Sequence, residues 1–506
     1  SSQSDTTSPT AILSPGSGSI ILADSSIKVT FSKSMDTTSL SASLGGVTLN
    51  GVWSTTSLQN DTLTLSGNIS TGTNSFVLNA NDTSGNSLAQ LTATYEVLAS
   101  GTHLLYVSTT GDDRNTGGSI ELPKLTILSA INSATTPAAV FVSLGTYDVD
   151  SSSSLNVIMK DQVSIYGGFS TDFLSRDSST NTTTIQDINS SAGSPDSSTI
   201  YSNGSITSST IIDGFTIIGS SNLNLTNLSA AIYNRSGSSP TISNNIIRGG
   251  SLKAAAIGII NNNNCAPIIK NNTINSGSST NNGLAVAVYN ISSSPTITGN
   301  TIIAGDSVSN YVIGIYNLTS SSPNISGNTI TAGTGTIEST FGIFNNDSSS
   351  PTVSSNTIKG GSAPNASAHG IYNGPVGNNN PVLTGNTIYG GSGKASYALN
   401  NSNPSNPTFT NNSMDGGIGT SSIAIFQNDG GTIVLGSYES NTLFTSGGTN
   451  RYCIYESGGT SPKTFNNNSL SNCPTALYFD LGTTTINSIS TINGGTSGGS
   501  GYTGNY

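Results

Sequence analysis

Charged residues are scarce in this chain. They make up 8% of its 506 residues, and 14 lysines and arginines stand against 25 aspartates and glutamates, for a net charge of −11. Binding to nucleic acid needs many cations that neutralise phosphates, so this composition argues against nucleic acid as a partner. Apolar runs are also short: none approaches the roughly 20 residues that a membrane-spanning helix needs, and we predict no transmembrane segment.

Histidine and cysteine are nearly missing as well. The histidines are His103 and His369, and the cysteines Cys265, Cys453 and Cys473 form neither a CxxC pair nor a cluster with histidine. Zinc and haem sites need such sets of ligands, so we expect no cofactor of that kind. Cys453 and Cys473 either pair on adjacent coils or remain two buried thiols.

Residues that favour β-strands are frequent in the composition of the chain. Glu, Lys, Arg and Met are few, whereas Thr, Ile, Val and Tyr are frequent. Such β-branched and aromatic residues favour strands, so we predict an all-β protein. The chain is rich in glycine, with 58 residues, but 33% of it is hydrophobic, which favours a folded chain over a disordered one.

The region 9–100 carries short alternating segments separated by Gly, Asn and Asp turns. These segments lie at residues 27–31, 62–65, 75–78 and 94–97. Their spacing predicts a small β-sandwich. The stretch 27–40, with Phe-Ser-Lys-Ser-Met-Asp at its centre, resembles the bacterial Ig-like domains of extracellular proteins. That resemblance implies a spacer or adhesive module.

A repeat of about 28 residues organises the later part of the chain. Its prolines are Pro240, Pro267, Pro295, Pro323, Pro351, Pro381 and Pro407. Each has an apolar residue two positions later and an asparagine five positions later. These asparagines are Asn245, Asn272, Asn300, Asn328, Asn356, Asn386 and Asn412. Units this short cannot bury an apolar face alone, so we expect them to stack into one continuous core.

We expect the seven asparagines to stand at tight bends, in the left-handed region that asparagine tolerates, and to join their amides into a ladder. This pattern resembles the asparagine ladder of right-handed parallel β-helices, the pectin-lyase-like fold. Residues 106–113 resemble the N-terminal cap of that family, and residues 163–169 and 211–217 resemble its early coils. We therefore predict a right-handed parallel β-helix solenoid preceded by a small β-sandwich.

The predicted organisation has six parts. They are a flexible segment at 1–8, an Ig-like sandwich at 9–100, the β-helix cap and early coils at 101–230, regular repeats of 26–30 residues at 231–430, irregular terminal coils at 431–493 and a Gly/Ser-rich tail at 494–506.

The resemblance implies that polysaccharide lyases and hydrolases are an alternative. Sugar hydrolysis needs two carboxylates that face one substrate. The acids of the regular repeats, Asp306, Glu338, Asp347 and Asp415, all differ in their offset from the preceding proline, so no two share a column. We predict no catalytic residue there.

Two other groups of acids are candidates. A hidden catalytic cleft would draw on the acids near Lys160 and Arg176, which are Asp148, Asp150, Asp161, Asp172 and Asp177. Asp112 and Asp113 either bind calcium or form a polar turn in the cap.

A second motif, Gly/Ala-Ile-Tyr-Asn, recurs in step with the prolines. If its isoleucines point inward, the next residues point outward. The predicted outward column is Tyr233, Tyr289, Tyr316, Phe344 and Tyr372. Aromatic rings beside small residues make a platform for sugar rings. Two alternatives stay open. With the opposite parity, these rings would stack in the core; with the predicted parity, loops would cover them.

From these features we predict an extracellular or surface-anchored bacterial protein with a structural or adhesive role. Its partners would be polysaccharide or host surface molecules bound along the solenoid flank. The first residues, Ser-Ser-Gln-Ser without Met, suit a removed leader and a lipid anchor. The oligomeric state and the ligand stay open.

Overall fold

The computed structural model is nearly all β and divides into two compact units. One unit comprises Ser1–Gly145 and Ile165–Thr183, and the other comprises Thr146–Ser164 and Thr184–Tyr506. The residues that the structure describes are 5–54, 60–153, 156–189, 197–221, 229–250, 255–279, 283–307, 310–402, 405–428, 436–457, 464–480, 483–494 and 502–506.

The first unit begins with two small, mainly antiparallel sheets. The first sheet contains, in spatial order, Ala11–Ser14, Ile27–Phe31, Thr62–Ser66 and Asn50–Trp53. The second contains Ile20–Leu22, Leu91–Leu98, Gly72–Asn79, Ser41–Leu44 and Val47–Thr48. Strand Ile27–Phe31 alternates strictly between buried and exposed residues, and Val29 joins Tyr95 and Phe76 in a shared apolar core. This alternation is why the residues form a half-buried strand.

The rest of the first unit contains a helix and the first strands of a 13-stranded parallel sheet. His103–Val107 pairs in parallel with Ala138–Ser143, and Val163–Phe169 follows in the same sheet. Helix Ile127–Ser133 begins after Thr126, whose side chain accepts a hydrogen bond from the Ser129 amide. That bond satisfies one of the free amides at the helix start.

The second unit is a parallel β-solenoid whose coils supply strands to three sheets, here called faces 1, 2 and 3. Face 1 contains Ile211–Asp213, Thr241–Ser243, Ile268–Lys270, Thr296–Thr298, Asn324–Ser326, Thr352–Ser354, Val382–Thr384, Thr408–Thr410, Ser437–Glu439 and Thr464–Asn466. Face 2 contains Gly145–Val149, Thr183–Asp187, Thr216–Ile218, Ile246–Arg248, Thr273–Asn275, Thr301–Ile303, Thr329–Thr331, Thr357–Lys359, Thr387–Tyr389, Ser413–Asp415, Thr442–Phe444 and Ser469–Leu470.

Face 3 has the longest strands. It contains Val157–Ile158, Ser197–Asn203, Ser229–Arg235, Ala256–Asn262, Ala285–Ile291, Val312–Leu318, Thr340–Asn345, Ser362–Asn373, Ser392–Ser402, Ile418–Asn428, Asn450–Glu456 and Ala476–Asp480. An antiparallel strand, Thr484–Ile486, follows the last of these, and helix Ile489–Asn493 comes next. A single 3-10 turn occupies Ser151–Ser153.

Each strand pairs with its copy one repeat away. Ile269, for example, lies between Ile242 and Ile297, and all three are fully buried. The repeat period therefore sets the register directly, and the predicted fold, a parallel β-solenoid after small antiparallel sheets, is confirmed. Within the described residues, no helix is long and apolar enough to cross a membrane.

Buried amides run along the solenoid between faces 1 and 2. Asn300 is typical: its Oδ1 accepts from both the backbone N and the Nδ2 of Asn272, at 2.8 and 3.0 Å, and its own Nδ2 donates to Asn328. All seven asparagines named above take part, and Asn441, Asn468 and Asn505 continue the row. A buried polar group of this kind is tolerated only because it is paired.

The bend itself differs from expectation in one respect. The left-handed backbone belongs to the residue before each ladder asparagine, such as Asn244, Asn271 and Gly299. The ladder asparagine is thereby free to turn its side chain inward, where its amide can meet the next one.

A second amide ladder runs inside face 3, and the sequence analysis missed it. Its members are Asn234, Asn261, Asn290, Asn317, Asn345, Asn373 and Asn401, followed by Gln427. Successive side chains are joined at 2.6–3.1 Å. These are the last residues of the Gly/Ala-Ile-Tyr-Asn motif, so the signal was present in the repeat.

The last coils are held by a disulfide and by the chain end. Cys453 and Cys473 are bonded, with their Cα atoms 5.5 Å apart, while Cys265 is a buried free thiol. Tyr502 is buried against Phe465, at 5.8 Å between ring centroids. The described part of the predicted tail thus packs against the last coils.

Candidate functional site

The aromatic residues of the second motif lie side by side on face 3. Tyr289 pairs in register with Tyr316, Tyr316 with Phe344, and Phe344 with Tyr372. In strand Val312–Leu318, Ile315 and Asn317 are buried, whereas Tyr316 between them is half-buried. The isoleucines therefore face the core and the rings lie on the outer side of the sheet.

These rings stack on each other along the solenoid. The centroid distances are 5.0 Å for Tyr289–Tyr316, 4.9 Å for Tyr316–Phe344 and 5.0 Å for Phe344–Tyr372, with interplanar angles of 2°, 14° and 35°. Strand spacing of about 4.8 Å leaves too little room for rings to lie flat beside one another. Each ring face is thus largely used by its neighbour, and ring edges and hydroxyls are left for solvent.

The solvent exposure of the aromatic side chains differs along the column. Tyr233 and Phe344 are each only 6% exposed, whereas Tyr289, Tyr316 and Tyr372 are half-buried. Ile260 interrupts the stack between Tyr233 and Tyr289. We call the three accessible tyrosines, Tyr289, Tyr316 and Tyr372, the phenol row.

The phenol groups are set up as hydrogen-bonding groups. The Tyr372 hydroxyl lies 3.2 Å from Ser402 Oγ, and the Tyr316 hydroxyl has a hydrogen bond with the Asn346 side chain. Burial raises the pKa of Tyr289 to about 12 and also raises the pKa of Tyr316. Both phenols therefore keep their proton at neutral pH and are able to donate a hydrogen bond.

A second row of side chains lies beside the phenol row. It contains Ile257, Val286, Ile313, Phe341, His369 and Tyr397, each in register with the next. His369 is stacked between Phe341 and Tyr397, with centroids 4.9 Å away on both sides. Burial lowers the pKa of His369 to about 3, so it is a neutral stacking group at ordinary pH.

The acids of the second unit are fixed by local hydrogen bonds. Asp150 accepts from Ser152 and Ser153, and these bonds lower its pKa. For Asp161, burial raises the pKa, but hydrogen bonds from Thr207 and Thr210 outweigh this effect and the net pKa is lowered. Asp148 accepts from Gln186 at 2.7 Å. Asp150 and Asp161, whose pKa values are lowered, are therefore poor general acids.

Asp187 is the exception, and the sequence analysis did not single it out. Burial raises the pKa of Asp187. The carboxylate accepts hydrogen bonds from the backbone N and Oγ of Ser151 and from the Asn189 amide, which lower the pKa, but burial is the larger effect. It sits at the end of an alternating strand, so nothing in the local pattern distinguishes it from a structural residue. Its contacts tie two neighbouring coils together.

Four of the candidate acids named from the sequence lie in the first unit. Asp172 and Asp177 accept from residues two positions further along the chain and have lowered pKa values. Asp113 accepts from the amides of Leu125 and Thr126, and Asp112 accepts from the Arg114 amide. Across the described ranges, no group of three or more His, Cys, Asp or Glu side chains is placed to hold a metal ion.

The coils define a parallel β-helix protein, and comparisons with known proteins add little about activity. A family model described as "Protein of unknown function (DUF1565)" matches residues 109–334. No curated protein matches the chain.

Solved structures that resemble the chain have low sequence identity to it. The catalytic unit of a thermostable alpha-1,3-glucanase from Streptomyces thermodiastaticus is 13% identical, covering 95% of this chain and 88% of that one, with a TM-score of 0.44. The A-module of the mannuronan C-5 epimerase from Azotobacter vinelandii is 17% identical, covering 69% and 91%, with a TM-score of 0.39. These values are too low to carry an activity over to this chain.

Proposed function

We propose that this protein is a structural or adhesive β-helix protein that binds neutral glycan chains along face 3 through the phenol row. The observation that carries the proposal is the recurrence of half-buried tyrosines in register on the outer side of face 3. An extended glycan is a row of similar hydroxyl-bearing units, so a row of similar donors contacts successive units.

Charge favours a neutral glycan. The chain carries a net charge of −11, and its 14 lysines and arginines are too few to attract a polyanion. The carboxylate of Asp347 also acts on Tyr316 and helps to raise its pKa, so a negative charge lies near the row. We therefore expect neutral polysaccharides to bind better than acidic ones of similar length.

Affinity electrophoresis through gels that contain single polysaccharides tests the proposal. Neutral glycans should retard the native protein, and Tyr316→Ala should reduce the retardation at least fivefold. Tyr389→Ala is the matched control, because Tyr389 is a half-buried tyrosine on face 2. Equal loss in both variants, or retardation by acidic glycans alone, would contradict the proposal.

The second candidate is a polysaccharide lyase or glycoside hydrolase, which the raised pKa of Asp187 favours. A carboxyl that stays protonated at higher pH is the kind of group that protonates a leaving group. The same glycans should be incubated with the protein, with and without calcium, and followed for reducing ends and unsaturated products. Cleavage that disappears in Asp187→Asn would establish the enzyme and displace the adhesive role.

We further propose an extracellular or cell-surface setting, with host surface molecules among the partners. The Cys453–Cys473 disulfide supports it, because disulfides persist in oxidising compartments. Protease treatment of intact cells should degrade the protein if it is exposed outside. Protection in intact cells together with degradation in lysed cells would contradict this placement.

A further inference from the structure

We infer that a cavity of about 410 Å³ in the first unit is a binding site for a small molecule that carries an aromatic ring. Its walls include Ile20 and Ile21 of the N-terminal sheets and Leu104 and Tyr106 of the following strand. This volume falls within the range of pockets that hold small organic ligands. Nothing in the proposed glycan site depends on it, because the phenol row belongs to the other unit.

Aromatic rings line the cavity from several directions. Phe141 and Phe169 stack at 4.6 Å, Tyr106 meets Phe141 edge-on at 5.8 Å, and Phe173 meets Tyr106 edge-on at 5.1 Å. Phe141 and Phe169 are buried and form the aromatic wall, while the partly accessible rings of Tyr106 and Phe173 are available to a further ring. A planar aromatic ligand matches such walls better than a saturated one of equal size.

The lining also includes a small number of polar groups. Arg176 is placed over the rings of Tyr166 and Phe169, 5.6 and 5.8 Å from their centroids, and its Nε donates to the Gly167 carbonyl. These contacts fix the guanidinium in the wall. The lining also contains Asp172, whose carboxylate accepts from Ser170 Oγ, so charges of both signs border the cavity and we expect the ligand's ring to decide its affinity.

Phe173 is held over the cavity at a cost to the backbone. Its φ is 59°, in the left-handed region, which is unfavourable for a bulky residue. The other left-handed residues with side chains in the described part are Asn, Ser, Asp, Gln and Thr. The turn is fixed by hydrogen bonds between Ser170 and Ser175, and strained residues of this kind concentrate at ligand sites.

The segment that carries Phe173 also leaves apolar surface at the mouth. Leu174 is 73% exposed and Ile120 is 41% exposed, and both line the cavity. Exposed apolar side chains at a concave site mark a place where a ligand removes surface from water. Together with the aromatic walls, they give the cavity an apolar lining that includes Phe173.

Isothermal titration of the full chain with naphthalene-2-carboxylate tests the inference, with cyclohexanecarboxylate as the saturated control of equal charge. We expect the aromatic acid to bind at least tenfold more tightly. Phe173→Gly should weaken it at least tenfold, and glycine accepts the left-handed backbone, so the fold is retained. Tyr389→Ala, in the other unit, should leave the affinity unchanged.

A second variant covers the case in which Phe173→Gly disturbs the turn. Ser175→Trp places a ring at the cavity wall and should compete with the ligand, while circular dichroism reports whether the fold is intact. No binding to the native protein at millimolar ligand, equal affinity for the two acids, or full affinity in both variants would overturn the inference.

Discussion

Tyr289 and Tyr316 lie one coil apart with their ring planes only 2° from parallel and their centroids 5.0 Å apart. That relationship follows from the parallel register, which places each side chain directly beside its copy in the next coil. Because the ring faces pack on each other, a glycan bound as we propose would meet the phenol hydroxyls and ring edges and not a flat sugar platform.

Replacing one ring of the stack should cost stability as well as binding. Tyr316 contacts rings on both sides, so Tyr316→Ala should lower the free energy of unfolding by about 2 kcal/mol. Tyr316→Phe retains both stacking contacts and should stay within about 0.5 kcal/mol of the native value. Urea denaturation of the three proteins checks this; an equal loss for Phe and Ala would contradict the stacking account.

His369 should make the solenoid sensitive to mild acid. Its pKa is about 3 when folded and near the ordinary 6.5 when unfolded, so the unfolded chain binds the extra proton first. Stability should therefore fall as the pH drops from about 6.5 towards 3, by roughly 2 kcal/mol at pH 5 from this group alone.

His369→Phe is the matched variant, because Phe341 occupies the same position one coil earlier. The difference in unfolding free energy between the native protein and the variant should change by roughly 2 kcal/mol between pH 7 and pH 5. A difference that does not depend on pH would show that His369 titrates normally.

Removal of one amide from the ladder between faces 1 and 2 should destabilise the solenoid. Asn300→Ala removes a buried side chain that accepts from Asn272 and donates to Asn328, which should cost roughly 3 kcal/mol. Asn324→Thr is the control, because Asn324 is exposed and both of its register neighbours are threonines. Chemical denaturation should show little change for the control; similar losses in both variants would argue against the ladder.

The disulfide should hold the last coils in place. Cys453→Ala removes the bond to Cys473 across a sequence separation of 20 residues, which should destabilise these coils by about 3 kcal/mol. Because repeat proteins lose structure from their ends, we expect faster amide exchange in residues 436–480 with unchanged exchange in residues 256–345. Uniform acceleration along the whole chain would show that the bond acts globally.

The coils could be predicted from the sequence because the same residue types recur at a fixed spacing in each repeat. A proline, an inward apolar residue and an asparagine recur at fixed offsets, and the parallel register simply repeats them. The outward column was harder to interpret. Phe341 and Phe344 are three residues apart, yet their rings stack at 4.8 Å, which strict alternation forbids.

The reason lies at Gly342. The paired residues of its strand omit this position, so the strand is irregular there and both phenylalanines face the same side. A side chain at Gly342 would meet the Gly370 carbonyl at 2.5 Å. The same position is skipped where the coil carries alanine, at Ala287 and Ala398, so the irregularity belongs to the repeat and does not require glycine. Alternation alone does not predict it, and with it the second row escaped the sequence analysis.

The measurement that tests the central claim most directly is glycan affinity in the triple variant Tyr289→Phe, Tyr316→Phe and Tyr372→Phe. These changes keep the aromatic stack and remove only the three hydroxyls. If the phenol row binds glycan, the variant should keep native stability and lose at least tenfold in affinity for a neutral polysaccharide. Unchanged affinity at unchanged stability would contradict the account and leave the aromatic column with a structural role alone.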